Sequence, residues 1–273
     1  MIISYEYFHA KLNEKIKSDD EFYYDLLVKV VQNPHRYTGC FRLSNAKTKL
    51  MQNVTQSREI KFGDFMEDII TEYIGYMGYK NLEKNIGCDP DGNALSADQV
   101  FLNEKTGELY LIEQKIRDDH DSTKKRGQYD NFRKKYELLR RKNPGRKIIA
   151  IMWFIDETLV KNRRYYTGQA SSENIENVDI FILYGSTLFT EIFKNEAVWN
   201  ELVGHLARVK AEQNSEMLYV PDFDSSNEIL QALRRLKREE PRLFNKLYSE
   251  KPEYVQLRKE LFPKNVNLRK VRE

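Results

Sequence analysis

Two carboxylates and one lysine fall at positions where a β-hairpin would bring them together. Asp98 lies seven residues before Lys105, the centre of a predicted turn, and Glu113 lies eight residues after it. In an antiparallel pair these positions nearly face each other, with Cβ atoms about 5 Å apart when both point to one side. Acids placed in this way repel each other unless a cation lies between them. The spacing therefore indicates a Mg²⁺ site, because Mg²⁺ is usually held by one or two carboxylates.

Lys115 follows Glu113 by two residues, so the two side chains share one face of the predicted strand. Leu109 and Leu111 precede them on that face, which changes from apolar to charged where a pocket could meet solvent. An amine beside the attacking water could lower its pKa or balance charge on a scissile phosphate. The three groups form a sufficient set for phosphodiester hydrolysis. Ordinary cross-strand ion pairs on an exposed hairpin are the alternative.

The elements that would position these side chains form a mixed α/β core. An amphipathic helix, a hairpin, a second helix and two buried strands follow one another along the chain. The strand–helix–strand portion is a βαβ unit. The predicted bounds are helix Phe62–Tyr79 with a stop at Gly78, strands Leu95–Leu102 and Glu108–Ile116 around turn Asn103–Gly107, a polar connection Asp118–Arg126, helix Gln128–Lys142, and strands Lys147–Phe154 and Val178–Tyr184.

Helical segments flank this core at both ends. We predict a single nuclease domain over 1–273, with a helical region 1–58, a catalytic core 59–185 and a helical region 186–273. Asn33-Pro34 would end one early helix, and Ser225-x-x-Glu228 matches a capping box that opens a helix at Asn227. The stretch from Tyr37 to Ser57 is polar and has no clear assignment.

Composition excludes several classes of protein. Hydrophobic residues make up 40% of the 273 residues, which is enough for a packed core. No apolar run is long enough to span a membrane, and no secretory signal opens the chain, so we expect no membrane partner and a cytoplasmic location. Cys40 and Cys88 lie far apart, which argues against a disulfide framework or a Cys-rich zinc site.

Positive charge is concentrated just after the candidate site. The chain carries a formal net charge of +3, but Lys115 to Lys147 contains thirteen Lys or Arg against five Asp or Glu. A basic segment in a nearly neutral protein suggests contact with a polyanion. A solvated helix face would have the same composition.

Together these residues resemble the PD-(D/E)XK nuclease superfamily and, within it, the type II restriction endonucleases. The matching stretch runs from Lys61 to about Phe154 and contains KFGDFMEDII with Glu67, SADQV with Asp98, YLIEQK with Glu113 and Lys115, and DDHDSTKKRGQYDNF. The resemblance implies a restriction endonuclease-like mixed β-sheet flanked by helices. It also implies Mg²⁺, with Mn²⁺ able to substitute, held by Asp98 and Glu113. Lys115 would assist the attacking water, and Glu67 would join the site.

One departure from the family pattern concerns its Pro-Asp pair. This chain has Ala97-Asp98 at the corresponding position, and a literal Pro-Asp occurs at Pro90-Asp91. We prefer Asp98, because Asp91 lies in a Pro/Gly turn and far out of register with Glu113. For Glu67, a surface position on the margin of its helix is the alternative to a place in the site.

Candidate DNA contacts follow the catalytic strand. Sequence-independent contacts with phosphates near the scissile one would come from Ser122, Thr123, Lys124, Lys125 and Arg126. Asp118, Asp119 and Asp121 could accept from bases or simply be solvated. Gln128 would open the next helix and aim at the site. Arg163 and Arg164 lie in a predicted loop between two strands, which could enter a groove or cover the sheet edge.

The resemblance implies sequence-specific cleavage of double-stranded DNA, leaving 5′-phosphate and 3′-hydroxyl ends. Palindromic sites favour a homodimer by symmetry, and a companion DNA methyltransferase is implied as well. Three alternatives stay open: a structure-specific or nonspecific repair or recombination nuclease of the same fold, a noncatalytic DNA-binding protein, and an interaction protein that binds no nucleic acid.

Overall fold

The computed structural model describes residues 1–16, 19–212 and 220–272. Contacts within the chain group these residues into two compact units. The first unit contains Met1–Leu12 and Gly63–Lys210, and the second contains Asn13–Phe62 and Ala211–Glu273. The single nuclease domain over 1–273 stays a prediction. Among the described helices, none is long and apolar enough to cross a membrane.

A five-stranded mixed sheet forms the centre of the first unit. Its strands, in spatial order, are β1 (Lys80–Asn81), β4 (Gln99–Leu102), β5 (Leu109–Lys115), β6 (Ile148–Phe154) and β7 (Val178–Tyr184). Neighbours β1, β4 and β5 are antiparallel, whereas β5, β6 and β7 are parallel. A separate two-stranded sheet pairs β2 (Asn85–Cys88) with β3 (Ala94–Ser96). This mixed α/β sheet flanked by helices confirms the predicted fold class.

The predicted βαβ unit is present and organises the core. Helix α5 (Ser122–Lys142) connects β5 to the parallel strand β6, whose seven residues are all buried. A strand buried on both faces reads as a continuous apolar run, which explains the sequence IIAIMWF. Aromatic side chains of α5 pack on the sheet face that carries Leu109 and Leu111. Those aromatic residues are Tyr129, Phe132 and Tyr136.

Among the remaining helices of the first unit, one begins earlier than predicted. The helical elements are α1 (Tyr5–Ile16), α4 (Ala46–Tyr76), α6 (Arg163–Ser172), a π-helical turn Leu188–Ile192 and α7 (Glu196–Glu212). Three of them, α1, α4 and α7, continue into the second unit. Helix α4 begins sixteen residues before the predicted Phe62, because apolar Ala46, Leu50 and Val54 recur at four-residue spacing within a polar stretch. Gly78 follows its end at φ +88°, as expected of a helix stop.

The second unit is helical, as predicted for both flanks. Its helices are α2 (Asp20–Gln32), α3 (His35–Thr38), the first part of α4, α8 (Asn227–Glu239), α9 (Pro241–Lys246), α10 (Pro252–Leu261) and α11 (Val266–Arg272). The predicted stop at Asn33-Pro34 is confirmed. The predicted cap of α8 is wrong by one residue. Ser226, rather than Ser225, accepts from the Ile229 amide, because Ser225 donates its hydroxyl to Asp222 instead.

Candidate active site

The hairpin of β4 and β5 has the register that the sequence predicts. Gln99 pairs with Ile112, so continuing the ladder by one step places Asp98 opposite Glu113. The predicted single strand Leu95–Leu102 is wrong, however, because it breaks at Ala97-Asp98. Residues before the break pair with β2 instead of β5. Asp98 therefore leaves the ladder, and its Oδ2 accepts from the Gln114 amide at 2.6 Å.

Three oxygen atoms converge on the ammonium group of Lys115. Its Nζ lies 2.7 Å from Glu113 Oε1, 3.0 Å from the Gln114 carbonyl oxygen and 3.5 Å from Asp98 Oδ2. The structure thus brings Asp98, Glu113 and Lys115 together on one side of the sheet. The literal Pro-Asp alternative does not join them, since Asp91 lies in the exposed turn between β2 and β3.

Burial and charge shift the protonation of this group. Burial, reinforced by the negative charge of Glu113, raises the pKa of Asp98. For Lys115, burial alone would lower the pKa, but the carboxylates of Glu113 and Asp98 outweigh it and raise the pKa. Two acids held this close favour a cation between them. In this structure that cation is the Lys115 ammonium.

A second lysine, which the sequence analysis missed, holds the other side of Glu113. Lys135 of α5 places Nζ 2.5 Å from Glu113 Oε2, and the two side chains are 7% and 8% exposed. Each oxygen of Glu113 therefore has its own ammonium partner. A signal was available in the sequence: Lys135 lies between Phe132 and Tyr136 within the apolar stripe of the helix. A charged side chain on the apolar face of a helix is usually buried together with a partner of opposite charge.

Glu67 lies beside the hairpin, on α4. It lines a cavity of about 110 Å³ together with Gly63, Asp98, Gln114, Lys115 and Ile116. Its Oε1 accepts from Lys84 Nζ at 2.6 Å. The Glu67 carbonyl accepts from the Gln99 side-chain amide at 2.7 Å, which ties the helix to the start of β4. Glu67 therefore lies at the same cavity as Asp98, and its carboxylate is paired with Lys84.

The oxygen atoms of this site suit a hard divalent cation. Two carboxylates and one backbone carbonyl lie around a single cationic nitrogen, within 3.5 Å of it. Mg²⁺ and Mn²⁺ both prefer oxygen ligands of this kind. Within residues 1–16, 19–212 and 220–272, no three His, Cys, Asp or Glu side chains are grouped to hold a metal. The oxygen atoms that could hold such an ion are therefore those around the Lys115 ammonium, from Asp98, Glu113 and the Gln114 carbonyl.

The basic residues after β5 begin a helix, which corrects the predicted connection Asp118–Arg126. Helix α5 starts at Ser122 instead of Gln128, because Asp121 caps it by accepting from the amides of Thr123 (3.0 Å) and Lys124 (2.8 Å). Asp121 is thus an N-cap. The side chains of the first turns are exposed, except that Lys125 is half-buried over the Tyr165 ring. The exposed residues are Ser122, Thr123, Lys124 and Arg126.

Gln128 and the arginine pair lie elsewhere on helices. Gln128 does not open α5, and its amide oxygen accepts from the Tyr166 hydroxyl at 2.9 Å. The predicted loop at Arg163 and Arg164 is wrong, since both residues begin α6 with exposed side chains. The Arg163 guanidinium stacks 4.2 Å from the centre of the Tyr184 ring.

Asp118 has a structural position. It is completely buried and accepts from the Asn162 amide (2.7 Å), the Asn162 side chain (2.8 Å) and the Tyr184 hydroxyl (2.9 Å). These contacts fasten the segment that leaves β5 to the start of α6. Burial, and then the hydrogen bond to Asp118, raises the pKa of Tyr184.

Comparison with known proteins gives the family. The family model described as "Type II restriction endonuclease, HinfI" matches residues 5–89 and 89–210, which is well over half of the chain. A search of curated proteins finds no match. The matched residues include all of the hairpin and both lysines that contact Glu113. The chain therefore belongs to the HinfI family of type II restriction endonucleases.

Proposed function

We propose that this restriction endonuclease is a Mg²⁺-dependent enzyme of the PD-(D/E)XK superfamily. It would hydrolyse phosphodiester bonds at a specific sequence in double-stranded DNA and leave 5′-phosphate ends. One observation carries the proposal: Asp98 and Glu113 converge with Lys115 at the end of β5, beside an open cavity. Carboxylates and an amine around one point are what metal-assisted phosphodiester hydrolysis requires.

Asp98, Glu113 and the Gln114 carbonyl would hold the metal ion. When bound there, Mg²⁺ supplies Lewis-acid activation of water and of the scissile phosphate. The hydrogen bond from the Gln114 amide fixes the Asp98 carboxylate beside the cavity. The Lys115 ammonium lies among these same oxygen atoms, so it would move aside when the metal ion binds.

Lys115 and Lys135 would divide two tasks. Lys115 lines the cavity, so its ammonium can hydrogen-bond the attacking water or a phosphate oxygen and stabilise the charge that develops there. Lys135 is buried and touches Glu113 from the other side, so it would act as a positioning residue. Glu67 lines the same cavity and would orient water near Asp98.

The start of α5 would hold the DNA backbone near the scissile phosphate. Lys124 and Arg126 are exposed, and the hydroxyls of Ser122 and Thr123 lie on the same first turns. Asp121 already accepts from the amides of Thr123 and Lys124 at this helix end, so the attraction for phosphate would come from the side chains. Further backbone contacts would come from Lys125, Gln128, Arg163 and Arg164.

Assembly and biological context follow from the class of substrate. A palindromic site would be read by a homodimer, because the two-fold symmetry of the site is matched by that of the protein. A companion DNA methyltransferase of the same restriction-modification system would protect the host sites, without having to contact this chain.

Digestion of supercoiled plasmid DNA tests the proposal. With Mg²⁺ we expect discrete fragments whose sequenced ends share one motif and carry 5′-phosphates, and with EDTA we expect none. Asp98→Asn should also abolish the fragments. Asp91→Asn serves as the matched control, since Asp91 lies in an exposed turn. A smear would indicate a nonspecific nuclease, and retention of intact DNA would indicate a noncatalytic DNA-binding protein.

A further inference from the structure

A long stretch of the second unit contains no acidic residue. From Leu26 to Arg58 there is no Asp or Glu, although 42 of the 273 residues of the chain are acidic. Four cations at its centre are Arg36, Arg42, Lys47 and Lys49. The first three are exposed, and Lys49 is half-buried. A surface that carries cations and no acidic residue of its own segment attracts a polyanion.

The same stretch displays two large apolar side chains to solvent. Phe41 and Leu43 are 100% and 109% exposed and lie in the segment between α3 and α4. The ends of that segment are fixed: the Gly39 amide donates to the His35 carbonyl, and Asn45 caps α4 by accepting from the Thr48 amide at 2.9 Å. Apolar side chains held in solvent on a well-anchored segment indicate a binding surface.

The first turns of α4 add a row of neutral polar side chains. Thr48, Gln52 and Gln56 are four residues apart and exposed, so they align along one face of the helix. Glutamine can form two hydrogen bonds with the major-groove edge of adenine, and threonine can contact a thymine methyl group. These residue types match a surface that reads base edges.

Acids that approach from other helices are already engaged. Glu260 accepts from the Ala46 amide at 2.5 Å and from Gln256 at 2.7 Å. Asp222 lies near Lys47 and accepts from the Ser225 hydroxyl at 2.7 Å. Glu260 therefore fastens the start of α4, whereas Asp222 bonds within its own turn. Neither acid is hydrogen-bonded to Arg36, Arg42 or Lys47 among the described residues, so these exposed cations stay available for an anion.

We propose that this acid-free surface, formed by Arg36, Phe41, Arg42, Leu43 and the exposed face of α4 from Lys47 to Gln56, is a second DNA-contact surface of the enzyme. Its cations would contact phosphates, and Phe41 and Leu43 would pack against bases or sugars. The inference rests on the proposed function, since it takes double-stranded DNA as the substrate. It gives the second unit a direct role in holding that substrate.

Alkylation of Cys40 reports on this surface directly. Cys40 is exposed next to Phe41, and the only other cysteine is Cys88. In a Cys88→Ser protein with plasmid DNA and Ca²⁺ in place of Mg²⁺, we expect DNA to slow alkylation of Cys40 severalfold. An unchanged rate under conditions where a gel shift shows bound DNA would overturn the proposal.

Charge removal provides a second test with a matched control. Arg42→Ala/Lys47→Ala/Lys49→Ala should lower the slope of log affinity against log salt by about 2 to 3 and weaken DNA binding about tenfold or more. The control Arg242→Ala/Lys246→Ala/Lys259→Ala removes the same charges from exposed sites of the same unit and should change both less. Equal effects in the two variants would contradict a specific surface.

The outcomes separate this inference from the proposed function. Wild-type protein that cuts plasmid while the Arg42/Lys47/Lys49 variant binds and cuts normally would refute only the acid-free surface. Wild-type protein that fails to cut would refute the proposed function, and Cys40 protection would still report DNA contact. Phe41→Ala that changes sedimentation of the free protein, with DNA affinity unchanged, would assign the surface to self-association and overturn the proposal.

Discussion

Two clusters built around buried acids follow each other along the chain of the first unit, and they differ in their partners. At Glu113, both carboxylate oxygens meet lysine ammonium groups, and Lys115 extends the cluster into an open cavity. Glu113 therefore has a charged partner at each oxygen, and one of the two partners, Lys115, lines the cavity.

At Asp118 the partners are neutral and no solvent reaches the carboxylate. Two donors come from Asn162 and one from Tyr184, and the residue is 0% exposed. Its hydrogen-bonding capacity is used within the fold. We infer from this comparison that a buried acid is a better candidate for a reactive site when charged groups surround it and one of them lines a cavity than when all of its partners are neutral.

The largest expected effect is on cleavage by Lys115→Met. Loss of the amine that faces the cavity should reduce the cleavage rate at least about a thousandfold, or about 4 kcal/mol of barrier. Single-turnover cleavage of plasmid DNA measures it. Lys105→Met, in the exposed turn of the same hairpin, is the control and should cut normally. Comparable rates for the two variants would remove Lys115 from the site.

Asp118→Ala should instead affect folding. Three donors would lose their acceptor inside the protein, so we expect the free energy of unfolding to fall by about 3 kcal/mol. Denaturant unfolding measures this loss. Asp119→Ala removes the neighbouring, half-exposed acid and should change stability far less. A stable Asp118→Ala protein that cannot cut DNA would break the distinction between the two clusters.

Lys135→Met tests whether the second lysine positions Glu113. We expect cleavage to fall about tenfold to a hundredfold, because partners that orient a metal ligand typically contribute that much. The Mg²⁺ concentration needed for half-maximal cleavage should rise as well, which a general loss of packing would not cause. Lys135→Arg should restore part of both values.

A neighbouring lysine supplies the control for that experiment. Lys134→Met alters a half-exposed residue that pairs with Asp89 at 3.2 Å, outside the cluster. It should leave the Mg²⁺ dependence unchanged. An identical Mg²⁺ requirement in Lys135→Met and the wild type would show that Lys135 only packs against Glu113.

The smallest effect is expected from Tyr184→Phe. This change removes one hydrogen bond from a hydroxyl to the Asp118 carboxylate, so the free energy of unfolding should fall by about 1.5 kcal/mol. Thermal unfolding of the variant beside the wild type measures it. Cleavage of plasmid DNA by the folded protein should be unchanged, and a large loss of cleavage would connect the Asp118 cluster to the chemistry.

Local sequence pattern predicted those parts of the fold that depend on neighbouring residues. Strand β7 has the predicted bounds and β6 begins one residue later than predicted, because continuous apolar runs are distinctive. Turn spacing alone placed Asp98 opposite Glu113, and strand alternation placed Lys115 beside them. These three positions carry the candidate site, although their roles stay predictions.

What the sequence missed depends on contacts between distant segments. The break at Asp98 arises because β3 pairs with β2, and the contact of Lys135 with Glu113 depends on how α5 packs on the sheet. The first turns of α4 were unassigned because their apolar residues are sparse. Pattern along one segment carries no information about which other segment will cover it.

Cleavage by Glu113→Gln tests the central claim most directly. This change keeps the size of the side chain and removes the charge that both lysines contact. The control, Glu104→Gln, makes the same substitution in the exposed turn of the hairpin, away from those lysines. With Mg²⁺ and plasmid DNA, Glu104→Gln should give the wild-type fragments and Glu113→Gln should give none, while both proteins keep wild-type circular dichroism spectra. Wild-type fragments from folded Glu113→Gln protein would contradict the claim that this hairpin is the catalytic site.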